Sequence, residues 1–131
     1  MSSSGGSGLL QEIPYALLRL VSGACFSLHG LQKLLGWFGG NRPPRLSQLW
    51  FGGVIELVCG LGMALGMGTR WLALLASGTM AVGYLQFHWQ LHWDHRFLPV
   101  VNKGELALVY CFLFLYLAAR GNGRFSLGGQ D

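Results

Sequence analysis

Four long apolar stretches, 13–38, 48–68, 71–91 and 104–119, take up most of this chain, and ionisable residues lie inside them. The candidates for burial are Arg19, His29, Lys33, Glu56, His88 and Glu105. Crossing the hydrocarbon core of a bilayer takes about 20 helical residues. A charge at that depth is costly, so such groups turn toward a bundle interior and pair with one another. The pattern therefore predicts an all-α, four-helix transmembrane bundle, with any chemistry placed where those side chains meet.

The rest of the sequence agrees. Only 11% of the 131 residues are charged and 52% are hydrophobic, where a soluble domain carries about a quarter charged. The net charge of +4 comes from Lys and Arg that flank the spans. That arrangement suits lipid headgroups and not nucleic acid, for which no binding motif is present. Cys25, Cys59 and Cys111 fall in three different spans without CxxC spacing, so they read as small hydrophobes. Residues 1–12 read as a flexible N-terminal tail, 13–120 as the bundle and 121–131 as a C-terminal tail. No basic residue precedes Arg19, so the first span reads as a retained helix and not a cleaved signal.

Turn chemistry separates the spans. Gly39-Gly40-Asn41-Arg42-Pro43-Pro44 ends the first, because consecutive prolines cannot continue a helix. A Gly-rich turn at 66–69, the segment 94–102 with Pro99, and Gly121-Asn122-Gly123 end the others. Trp37, Trp50, Trp89 and Trp93 flank the first and third connections, which an up-down bundle puts on one side; Trp71 marks the other. Counting from those ends puts His29 and Glu56 roughly 12 Å inside the boundary. Lys33, His88 and Glu105 come out shallower on the same half, and Arg19 lies toward the opposite half. His29 and Lys33 share a face, and Gly52, Glu56 and Gly60 form an i, i+4 stripe that suits close helix contact. Glu56 is expected to reach Arg19, His29 or Lys33.

Several of these groups have a simpler use. Asn102-Lys103-Gly104-Glu105 fits an N-x-x-E capping box. Lys33 and Arg19 are long enough to snorkel toward water. His88, His92 and His95 share a face if the helix runs on, but no fourth ligand accompanies them, and no metal site is expected.

The chain resembles the DoxX family of small bacterial membrane proteins. The resemblance rests on Leu17-Leu18-Arg19-Leu20, His29-Gly30-Leu31-Gln32-Lys33-Leu34, Gly53-Val54-Ile55-Glu56-Leu57 and Gly68-Thr69-Arg70. It continues through His88 and Asn102-Lys103-Gly104-Glu105-Leu106-Ala107-Leu108 to Arg120-Gly121-Asn122-Gly123-Arg124-Phe125-Ser126-Leu127. Asn122 stands where the family usually has Pro, and Gly128 where it often has Asp. The resemblance implies a multi-pass protein of the bacterial inner membrane, similar to the DoxD and DoxA subunits of thiosulfate:quinone oxidoreductase. It implies an accessory or anchoring subunit of a membrane redox complex, with membrane-protein partners, and points to a non-catalytic subunit more than to an enzyme by itself.

Three function classes follow. A redox subunit could line a quinone site with His29, Lys33, Glu56 and His88 beside the tryptophans; quinone is the one non-covalent cofactor this leaves open. A structural or assembly protein would use the same ion pairs only to lock the bundle. A transporter or proton path would need a homo-oligomer, because four short helices enclose little space. A lateral pocket beside His29 and Glu56 favours the first class, and a dry, fully paired cluster the second.

Overall fold

The computed structural model describes residues 4–131. Among the described residues all regular structure is helical, with five α-helices. Helix α1 (Ser4–Leu35) begins well before residue 13, so most of the expected tail is helical; residues 1–3 of it lie outside the described residues. Pro14 sits inside α1, where it removes a single backbone donor. The helix stops at Leu35 and not at Phe38, because Gly36 takes a left-handed φ of 70° while its N–H still bonds Gln32 O at 3.0 Å.

Helix α2 (Gln48–Leu65) starts at Ser47, whose side chain accepts from the Trp50 N–H, and ends at left-handed Gly66. It alone among the described helices meets the length and hydropathy criteria for a membrane span, with mean hydropathy 1.5. Helix α3 (Thr69–Gly83) runs into a π-helical turn, Tyr84–Trp89. A 3₁₀ turn (His95–Phe97) and α4 (Pro99–Asn102) precede α5 (Glu105–Arg120). The expected capping box does not form. Asn102 Oδ1 accepts from Gly104 N at 2.8 Å, which turns the chain, and α5 starts at Gly104 without a side-chain cap.

Helix α1 packs along α2 and α3 along α5, while α2 and α3 share the sparsest contact of these pairs. Glycines set the first pairing. A Cβ at Gly60 would lie 2.5 Å from Ser27 N and 2.6 Å from Gly23 O; one at Gly30 would lie 2.7 Å from Gly53 O. Gly23 and Gly30 on α1 therefore cross Gly60 and Gly53 on α2, backbone against backbone. Gly52, expected in this stripe, is not part of it: a Cβ there would meet nothing. Between α3 and α5 the small residues Ala73, Ala76 and Ser77 are buried, and Ser77 Oγ donates to Cys111 O at 2.7 Å. Phe26, Tyr110 and Phe114 fill the middle, with ring centroids 4.7–5.6 Å apart.

The start of α1 and the end of α5 lie together, tied by Arg120 to Glu12 at 3.2 Å. At the other end Gln48 bonds Gln86 at 2.6 Å, so the first connection lies beside the end of α3. The segment after Arg120 is not a loose tail. Gly121, Asn122 and Gly123 are buried, Leu127 N bonds Leu65 O, and Asn122 Oδ1 accepts from Thr69 N at 3.0 Å. The Asn122 side chain thus holds the start of α3.

Candidate functional site

Gly53 lets α1 approach α2 so closely that a Cβ there would lie 2.9 Å from Lys33 Cβ. Glu56, three residues further on, shares that face. Lys33 Nζ consequently reaches Glu56 Oε1 at 2.5 Å. The Glu56 side chain is only 4% exposed and that of Lys33 31%. The lysine stem lies over α2 and its ammonium keeps partial contact with the outside. Glu56 Oε2 is sealed from solvent and has no hydrogen-bond partner. A buried carboxylate oxygen left without a donor costs about 1–3 kcal/mol, so the ion pair is not a fully satisfied lock.

Beside the pair opens a cleft of about 1060 Å³. It lies between α2 and α3, with α1 and α5 supplying its floor. Phe26, Ile55, Leu75, Phe87 and Leu106 are among its apolar walls, and His29, Lys33, Glu56, His88, Lys103 and Tyr110 its polar ones. Gly52 and Gly78, where a Cβ would meet nothing, give the cleft its width.

The structure brings together four of the six residues singled out from the sequence. His29, Lys33, Glu56 and His88 all line the cleft. His29 stands edge-on to Tyr110, with centroids 6.5 Å apart. His88 belongs to the π-helical turn, and its Nδ1 lies 3.4 Å from Asn102 O. A carbonyl can only accept, so the tautomer that makes this contact carries its proton on Nδ1 and presents Nε2 as an acceptor. The close packing of Gly104 on His88 and Tyr84 holds this ring: a Cβ at Gly104 would lie 2.7 Å from the Cβ of His88.

Arg19 and Glu105 lie elsewhere. Arg19 is buried at the opposite end and donates to three carbonyls: Met63 O at 2.9 Å, Phe125 O at 2.8 Å and Asn122 O. It clasps the C-terminal segment to α2 and is no partner of Glu56. Glu105 is exposed in the first turn of α5, where a carboxylate is favoured by the helix dipole, and it makes no ion pair among the described residues. Lys103 takes the place at the cleft that Glu105 was expected to hold. Among the described residues no three His, Cys, Asp or Glu side chains gather as a metal site.

Tyr110, Lys103 and the Gln48–Gln86 pair were not singled out from the sequence. Tyr110 is one of four aromatics in α5, and its stripe with Phe114 and Leu117 at i, i+4, i+7 marks only an inward face.

A family model described as DoxX matches residues 15–89, which include Arg19, His29, Lys33, Glu56 and His88. An uncharacterized protein of Haemophilus influenzae is 39% identical over 123 residues, covering 89% of this chain and 91% of its own length. No solved structure matches the chain.

Proposed function

The chain belongs to the DoxX family, and from that premise we propose that it is a four-span bundle of the bacterial inner membrane. In this reading it serves as an accessory subunit of a membrane redox complex, and its cleft takes the headgroup of a quinone. The outer surface supports the bilayer part. Leu17 and Val21 on α1, Val58 and Leu61 on α2, Val109 and Phe112 on α5, and Leu85 just past α3 are all exposed outside the cleft. The interior holds Met63 and Leu117 among small and aromatic residues. Exposed side chains this apolar suit a hydrocarbon solvent.

The observation that carries the quinone part is the cleft. An amphiphile with a polar ring and an apolar tail needs apolar walls and a few polar groups at one end. Here the polar groups sit toward the end bearing the two long connections, and the walls are aliphatic and aromatic. His29 and Tyr110 would donate to the ring oxygens, His88 Nε2 would accept from a hydroxyl of the reduced, quinol form, and the Lys33–Glu56 pair would set the local field. A bound quinone supplies two-electron, two-proton chemistry. The chain's own part is to exclude water, orient the ring and keep a charged pair beside it. A purely structural role accounts for the ion pair, but not for an open cleft of this volume or for the unpartnered Oε2.

The test uses the full chain in nanodiscs. A short-tailed quinone should bind saturably and raise the melting temperature. Gly52→Leu, whose Cβ meets nothing and whose side chain enters the cleft, should abolish that binding while the protein stays folded. Purified protein that holds no quinone and does not respond to added analogues would rule the reading out.

A further inference from the structure

A second concavity lies at the end of the bundle where α1 gives way to the first connection. It has a volume of about 580 Å³ and is lined by Leu34, Arg42, Pro43, Arg45 and Trp50. Two arginines thus line one hollow. Four other arginines are occupied, Arg19 by carbonyls, Arg70 by Asp131, Arg96 by Asp94 and Arg120 by Glu12, while Arg124 stands over the Phe125 ring without an ion pair among the described residues. Arg42 and Arg45 have no carboxylate partner among the described residues. Two like charges brought together without a counter-ion repel one another, and an anion between them removes that cost.

The hollow is built and not a chance of two flexible side chains. Left-handed Gly36 has no Cβ, and one placed there would lie 3.1 Å from Arg42 Cγ. The Arg42 stem therefore rests against the backbone at Gly36, which lowers the entropy lost on binding. Pro43 and Pro44 stiffen the short link to Arg45. Guanidinium forks match the oxygens of a phosphate in paired hydrogen bonds. Leu34, Pro43 and the Trp50 indole add apolar walls, which a free inorganic ion does not use and a lipid does.

We propose that this hollow binds the phosphate of an anionic phospholipid, with the glycerol and acyl stem running past Leu34 and Trp50. The proposal shares the bilayer with the reading above but not the cleft. It adds a lipid-headgroup site on the side of the two long connections.

The full chain, purified in a neutral mild detergent, would be titrated with short-chain phosphatidylglycerol, phosphatidylcholine and inorganic phosphate, following bound lipid by native mass spectrometry. Phosphatidylglycerol should bind about tenfold or more tighter than phosphatidylcholine, and each of Arg42→Gln and Arg45→Gln should weaken it by about tenfold. Wild-type binding should also fall as NaCl rises from about 50 mM to about 500 mM, a readout that needs no variant to fold. Equal binding of the two lipids, unchanged binding in the Arg42→Gln/Arg45→Gln variant, salt-independent binding, or displacement of the lipid by an equal concentration of inorganic phosphate would each overturn the proposal.

Discussion

Replacing Gly60 by Ala is the sharpest test of the α1–α2 packing. The added methyl would sit 2.5 Å from Ser27 N, 2.6 Å from Gly23 O and 2.8 Å from Ser27 Cβ, where ordinary contact begins at 3.4 Å. Two of those atoms are backbone and cannot rotate away, so the helices must part by close to an ångström. A gap of 0.5–1 Å forfeits a quarter to a half of each dispersion contact. The Gly30–Gly53 crossing, one heptad along the same seam, would open with it. Overpacking of this kind costs about 3 kcal/mol, and Ala recovers about 1 kcal/mol through better helix propensity, for a net loss of roughly 2 kcal/mol. Gly52→Ala on the same helix meets nothing. It keeps the propensity gain and should be neutral or stabilising by up to about 1 kcal/mol. The two variants should therefore differ by roughly 3 kcal/mol, or on the order of 10 °C in Tm. Thermal unfolding in mild detergent, followed by near-ultraviolet circular dichroism, measures this directly. Equal melting of Gly60→Ala and wild type, or an equal fall in Gly52→Ala, would refute the packing.

Three further outcomes follow from the same contacts. Lys33→Met should destabilise the protein more than Glu56→Gln, by about 3–5 against about 1–3 kcal/mol, because the first strands a buried carboxylate and the second an ammonium that still reaches the outside; the reverse order in detergent melts would contradict the burial assigned to Glu56. Arg19→Lys should loosen residues 121–131, since one ammonium cannot serve three carbonyls at once, and limited proteolysis should then cut that segment faster. Arg96 holds the Asp94 carboxyl well below the usual carboxylate range, first through its side-chain hydrogen bonds. A carboxyl with a depressed pKa favours the folded loop above the ordinary carboxylate range and loses that contribution only as the pH falls below it. The His95–Phe97 turn should thus keep its conformation from about pH 5 to about pH 8, and a change in Trp93 fluorescence across that window would count against the pair.

Much of the helical layout was legible in the residue order because its causes are local. Hydropathy marks α2 as a span, and the prolines and glycines end the helices close to where their backbone chemistry demands. The convergence of His29, Lys33, Glu56 and His88 also followed from counting along the helices, since depth depends on rise per residue alone. Which side of a helix meets a neighbour is a different matter. Gly52 and Gly53 are about 100° apart around α2, and that single step separates an open cleft wall from a backbone contact with α1. Arg19 carried no sign that its partners would be carbonyls at 63, 122 and 125. Nor did Asn102 show that it would turn toward Gly104 and leave Glu105 outside the cluster. Those outcomes depend on how segments far apart in sequence are rotated against one another. The chain alone determined its long helices, its breaks and which polar residues fall at the same level along them. Only the tertiary packing decided which charges pair, which glycines touch, and that a cleft stands open beside Glu56.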